Sequence, residues 1–285
     1  MADVRVVARD RRDMLGEGPL WSQRDNVVYW VDILDRRVNR LNLNNDQVAS
    51  WIMPDCVGWV IERATQGLVA GIGRSIYNLE LEPLSLRPVA TLLAEPSTNR
   101  VNDAKADHWG RIWAGTMPLD GSAPSGNFYC LNPDGRLEMV ETGYRIPNGP
   151  AVSPDGAFLL HTDSGLRTIF RLPIQDDGSV GRREPFLVFE ATWGVPDGMT
   201  FDADGGLWVA CWGAGWVTRF ELATGRRHCS IPLPASQVSS CTFAGPQLDR
   251  MFVTSAAVGV DEPLAGALFE VDPGCKGLPT SCFGG

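Results

Sequence analysis

Short runs of apolar and small residues recur along the chain: VVYWVDI (27–33), GLVAGI (67–72), RIWAGTM (111–117), FLLHTD (158–163), GLWVACW (206–212) and RMFVTSA (250–256). Each is shorter than a stable helix needs and rich in aliphatic or aromatic residues, which predicts strands buried on both faces. Five of the six follow a turn carrying Asp, Asn or Gly: Asp25-Asn26, Gln66-Gly67, Asp107 to Gly110, Asp155-Gly156 and Asp204-Gly205. Asp249-Arg250, before the sixth, is a weaker turn signal. Behind each run comes another in which polar and apolar residues alternate: RVNRLNL (37–43), SIYNLEL (75–81), NFYCLNP (127–133), TIFRLPI (168–174), WVTRFEL (216–222) and ALFEVDP (267–273). Each unit therefore holds at least two hairpin-linked strands.

The first runs are centred near residues 30, 70, 113, 160, 208 and 252, so the units repeat at intervals of 40, 43, 47, 48 and 44 residues. A period of ~40–50 residues with several short strands marks a β-propeller blade, a small sheet that must stack on its neighbours to bury its faces. Six units fill the chain and predict an all-β fold, a six-bladed β-propeller with four-stranded antiparallel blades, with residues 1–285 as a single domain. The strand VRVVARD (4–10) precedes the first unit and is expected to pair with the last blade, closing the ring and removing exposed edges. A β-sandwich or two small β domains is the alternative, and no linker-like composition supports a split.

Composition bears on partners. Lys and Arg number 25 against 34 Asp and Glu, a net charge of −9, which disfavours a phosphate-backbone ligand and hence nucleic acid. No apolar run approaches the ~18 residues of a membrane span, and MADVRVVARDRRD carries charges where a signal peptide would be apolar, so a cytoplasmic protein with no membrane partner is expected. Seven cysteines without a C-x-x-C pair suggest reduced thiols rather than disulfides or a thiolate zinc site. His108, His161 and His228 do not form H-E-x-x-H, and no G-x-S-x-G elbow occurs, which removes support from helix-borne zinc proteases and ordinary serine hydrolases.

Because a blade's innermost strand comes first, the six runs behind tight turns are second strands. Residues 11 to 13 positions upstream of their centres then start the innermost strands, beside one mouth of the central channel. That phase selects Glu17, Asn102 with Arg100 two residues earlier, Asn148 and Asp197; in the other two blades it gives Gly58 and Ser240. Taken singly, each polar residue reads as an ordinary turn or loop residue, and only the shared phase argues for convergence on one axis. The neighbouring Gly and Pro in GEGP (16–19), IPNGP (146–150) and VPDG (195–198) predict loop-like segments that let backbone and ligand approach closely. Two carboxylates and one amide oxygen form a hard donor set suited to Ca²⁺, Mg²⁺ or Mn²⁺. With positions left open, such a set points to metal-assisted hydrolysis of a small polar carbonyl compound, with Arg and Asn gripping hydroxyls or oxyanions.

The motifs GEGPLW (16–21), NRVNDAKAD (99–107), GRIWAGTM (110–117), NGPAVSPDG (148–156), HTDS (161–164), VPDGM (195–199) and LWVACW (207–212) resemble the gluconolactonase and regucalcin (senescence marker protein) family over essentially the whole chain. NGP-x-x-SPDG followed by HTD is more similar to bacterial aldono- and pentonolactonases than to animal regucalcin. The resemblance implies a divalent metal held by Glu17, Asn148 and Asp197, and a sugar lactone contacted by Arg100 and Asn102. It also implies that Asp197 doubles as the general base and that Asp103 orders the substrate loop. Asp120, in PLDGSAPSGN (118–127), is the equivalent of the family's acidic substrate contact, on a segment that departs from the family pattern. His161 replaces an aromatic residue and is expected to pack rather than react. The ten tryptophans read mostly as blade packing, with one or two available to stack on a sugar.

The expected reaction is hydrolysis of an aldonolactone, such as a glucono-, xylono- or arabinonolactone, to its aldonic acid in oxidative sugar catabolism, by a monomer or small homo-oligomer. Zn²⁺ and Fe²⁺ stay open beside Ca²⁺, Mg²⁺ and Mn²⁺ as the one divalent ion, because three oxygen ligands discriminate poorly. A non-catalytic calcium-binding propeller and a metal-dependent hydrolase of other esters are the alternatives.

Overall fold

The computed structural model describes residues 4–175 and 178–285. Among them, 24 strands form six four-stranded antiparallel sheets arranged as a ring of blades. Only two single 3₁₀ turns interrupt the pattern, Ser164–Leu166 and Ala191–Trp193, and no helix is long and apolar enough to cross a membrane. The innermost strands are Gly16–Ser22, Val57–Glu62, Asn99–Ala106, Pro147–Val152, Val195–Phe201 and Val238–Ala244, in blades 1 to 6. The second strands, Val27–Asp32, Leu68–Ile72, Ile112–Pro118, Phe158–Asp163, Leu207–Trp212 and Arg250–Ser255, coincide with the recurring apolar runs. Val4–Val6 pairs antiparallel with Phe269–Val271 as the outermost strand of blade 6, so the two ends of the chain close the ring.

Alternation along each second strand decides which neighbour a side chain meets. In blade 1, Val27, Tyr29 and Val31 pack with Val57, Val60 and Ala70 of blade 2, whereas Val28 and Trp30 pack with Phe252 and Leu268 of blade 6. The strands are therefore apolar on both faces, and each aliphatic side chain fully buried between blades contributes about 1.5–3 kcal/mol.

The GEGP, IPNGP and VPDG segments are not loops. They lie in the ladder, and every innermost strand carries a bulge there. In blades 1, 3, 4 and 5 two residues oppose one: Gly18-Pro19, Asn102-Asp103, Gly149-Pro150 and Asp197-Gly198. In blades 2 and 6 a single extra residue, Gly58 or Ser239, interrupts the register. A bulge bends the strand and re-aims a side chain without ending the sheet, which is why Gly and Pro mark these positions.

Candidate functional site

The bulges turn Glu17, Asn102, Asp103, Asn148 and Asp197 toward one mouth of the channel, where all five are buried. Close backbone approach is what assembles them. A Cβ on Gly58 would lie 2.6 Å from the Asn102 carbonyl oxygen, and one on Gly198 would lie 2.4 Å from the Ser240 Cβ. Gly58 thus lets blade 2 close on blade 3, and Gly198 lets blade 5 close on blade 6, drawing the polar residues of blades 1, 3, 4 and 5 together.

A chain of polar contacts crosses blades 3 to 5. Arg100 Nη1 donates to the Val101 carbonyl (2.9 Å) and to Asn102 Oδ1 (2.7 Å). Asn102 Nδ2 donates to the Pro147 carbonyl (2.9 Å) and to Asn148 Oδ1 (2.5 Å). Asn148 Nδ2 donates in turn to Ser164 Oγ (3.0 Å), whose hydroxyl donates to the Pro196 carbonyl (2.7 Å), one residue before Asp197. Asp103 accepts from Gly149 N (2.8 Å) and Ala104 N (2.8 Å), tying the bulges of blades 3 and 4 together.

The carboxylates are short of compensating charge. Among the described residues Glu17 accepts only from Gly18 N (3.0 Å), and Asp197 Oδ1 is buried with no partner. Burial, and then the nearby Asp103 charge, push Glu17 up to about 8. Asp197 is raised well above the ordinary carboxylate range by burial and by Glu17 and Asp103, and Asp103 is raised by burial. Arg100, also buried, is lowered by desolvation, and its Nε has no partner. Among the described residues no three His, Cys, Asp or Glu side chains are grouped to hold a metal by themselves. The Asn148 carboxamide supplies the third oxygen, and the orphaned Asp197 Oδ1 fits a hard cation rather than a further hydrogen-bond acceptor.

The structure thus brings Glu17, Arg100, Asn102, Asn148 and Asp197 to one mouth. Asp120, two residues past the end of the second strand of blade 3, is exposed and accepts from Ser122 N (3.0 Å) and Ser122 Oγ (2.8 Å), contacts that lower its pKa. His161 is fully buried in an aromatic stack, 4.8 Å from the Phe128 ring centroid and 5.9 Å from that of Phe170; burial lowers it to about 3 and keeps it neutral. Trp212 ends the second strand of blade 5 at this mouth and is half-buried.

Sequence reasoning missed two supports. Ser164 links Asn148 to Pro196, and its signals were its place just behind a second strand and at the end of the HTDS motif. Glu95 is a buried carboxylate that accepts from Asn99 Nδ2 (2.6 Å), Thr116 Oγ1 (2.8 Å), Asn127 Nδ2 (2.7 Å) and Tyr129 OH (2.6 Å), bracing the strand that carries Arg100.

Comparison with known proteins agrees over nearly the full length. Residues 15–257 match the family described as the SMP-30/Gluconolactonase/LRE-like region. Regucalcin of Danio rerio is 32% identical, covering 99% of this chain and 98% of its own. A pentonolactonase of Haloferax volcanii is 33% identical, covering 98% and 97%. Among solved structures, a calcium-binding protein, regucalcin, from Agrobacterium tumefaciens superposes with a TM-score of 0.93 at 25% identity, covering 99% of this chain and 97% of that one. The chain belongs to the SMP-30/gluconolactonase/LRE-like family.

Proposed function

We propose that the protein hydrolyses a sugar lactone to its aldonic acid at the mouth lined by Glu17, Arg100, Asn102, Asn148 and Asp197. The observation that carries this reading is the orphaned oxygen of Asp197, buried near the Glu17 and Asp103 carboxylates, with the Arg100 guanidinium close enough to act on Glu17. A 33%-identical relative that is a pentonolactonase supports the substrate class. Glu17, Asn148 and Asp197 would hold one divalent cation. Such an ion supplies Lewis-acid polarisation of a carbonyl and lowers the pKa of bound water.

The chain's own residues then divide the work. Asp197 accepts the proton of the attacking water as the C–O bond to the carbonyl carbon forms. Breakage of the ring C–O bond leaves an alkoxide that takes that proton, so lactone and water become one hydroxy acid. Arg100, with Nη1 committed to Val101 and Asn102, offers its remaining N–H groups to substrate oxygen. Asn102, locked between Arg100 and Asn148, holds the register between them. Trp212 offers an indole face to the apolar side of a sugar ring.

Acid release from pentono- and hexonolactones tests this, using metal-stripped protein with and without Ca²⁺, Mg²⁺, Mn²⁺, Zn²⁺ or Fe²⁺. Hydrolysis above the spontaneous rate that disappears on stripping and returns with an ion is the expected result. Tight ion binding with no turnover of any lactone would sink the proposal and favour a calcium-binding role, as the 25%-identical calcium-binding regucalcin would suggest.

A further inference from the structure

The other mouth of the channel carries a cavity of its own. There the innermost strands end, and the C-terminal segment crosses them as a strap. Gly277 N donates to the Leu248 carbonyl (2.7 Å), Phe283 N to Glu62 (2.8 Å) and Gly284 N to Gly110 (3.0 Å), while the Phe283 ring is buried between blades 2 and 3. Strap and strand ends enclose about 270 Å³, just below the ~300–1,000 Å³ of pockets for drug-sized ligands, so a small molecule fits.

The wall of this cavity is unlike the rest of the protein in charge. Acidic residues outnumber basic ones 34 to 25 over the chain, yet no Asp or Glu lines the cavity, whereas Lys105 and His108 do. Thr200, Thr280 and Ser281 line it as well, and among the described residues neither their hydroxyls nor the Lys105 ammonium has a hydrogen bond or ion pair. An ammonium that carries no hydrogen bond or close ion pair among the described residues, although Glu17 and Asp103 act on it at longer range, joins three uncommitted hydroxyls in a wall otherwise formed by Leu20, Phe201 and Phe243: a donor set for an oxyanion. We propose that this cavity is a second binding site, separate from the carboxylate mouth, for a small oxyanion: inorganic phosphate or the carboxylate of a small hydroxylated acid. Lys105 supplies the charge, and the strap residues Thr280 and Ser281 close over the ligand. The site stands whatever reaction occurs at the other mouth.

Lys105 also acts electrostatically on Glu17 and Asp103, so charge compensation alone is the competing role for it. Calorimetric titration of the full-length protein with inorganic phosphate, and separately with gluconate, separates the two. The expected result is one saturable site for at least one of them, with a Kd at or below about 1 mM. Lys105→Met weakens it at least about 10-fold and Thr280→Val a few-fold. Whichever anion binds identifies the source of the oxyanion. Binding of neither overturns the proposal. So does binding that survives Lys105→Met but is lost in Arg100→Met, because the anion would then sit at the carboxylate mouth. If Lys105→Met fails to fold, Thr200→Val and Thr280→Val decide, and wild-type affinity in both overturns the site.

Discussion

Asp197 and Asp202 lie five residues apart in blade 5, one in the bulge of the innermost strand and the other just past its end, and both are buried. Asp202 is saturated with donors. It accepts from Gly206 N (2.7 Å), Asp204 N (3.0 Å), Trp208 Nε1 (2.9 Å) and Arg219 Nε (2.6 Å), and although burial opposes it, these donors hold its pKa below the usual value. Blade 3 repeats the device, with Asp107 accepting from Trp113 Nε1 (2.9 Å) and Arg111 Nε (2.6 Å). Asp197 has the Gly198 backbone as a donor, but among the described residues its Oδ1 has no partner and it faces Glu17 and Asp103, so its pKa rises. The contrast teaches that a buried Asp is a fastener when its lone pairs are filled by its own blade. It is a candidate for chemistry when the ring closes around it and leaves them open.

The sharpest way to break this contrast is to remove each carboxylate in turn. Asp197→Ala is expected to lower kcat/KM for the lactone by at least about 10³-fold. In metal-free protein its melting temperature holds or rises, because a buried carboxyl with an unpartnered oxygen has gone. Steady-state kinetics beside a thermal melt checks both, and retained turnover would remove Asp197 from the site. Asp202→Ala should do the reverse. Stranding Arg219 and the Trp208 indole costs roughly 3–5 kcal/mol in denaturant unfolding, with kinetic constants per folded molecule unchanged.

Acidity separates the two ends without mutation. In the cation-free native state Glu17 keeps its proton up to about pH 8, whereas in the unfolded chain it loses it near 4.5. Between those values the native state binds more protons, so stability falls as pH rises. Asp202 is depressed below 3.8, so its contribution is present above that value and is lost as pH falls through the folded value. Melting temperatures of chelated protein should therefore decline from pH 5 toward pH 8, and the decline should flatten in Glu17→Gln or with saturating divalent cation. A flat profile in chelated wild type would contradict the raised Glu17. The smallest effect is expected at Arg100. Arg100→Ala raises KM about 10- to 100-fold with a lesser change in kcat, if its N–H groups hold substrate in ground and transition states alike.

The fold was legible because every blade repeats the same apolar run behind the same turn, and the phase of that repeat singled out Glu17, Arg100, Asn102, Asn148 and Asp197. The bulges were not legible, since Gly-Pro and Asp-Gly carry the same local signal in a loop as in an interrupted ladder. The turn that holds Asp120 was not legible either, since its bond to Ser122 forms only once that segment folds. Ser164 and Glu95 escaped because what defines them lies at a distance: Ser164 bonds to Pro196 and Glu95 to Tyr129, each more than thirty residues away.

Hydrophobic alternation and the spacing of turns determined by themselves that this chain makes six blades, and the short strand near its start, which pairs with the edge of blade 6, determined how the ring closes, because both depend on faces and edges that the chain presents locally. Only the tertiary structure decided which carboxylates are paired and which are exposed to one another's charge. That outcome depends on desolvation and on neighbours from other blades, such as Asn102 against Asn148 46 residues on, and no local stretch of sequence contains it.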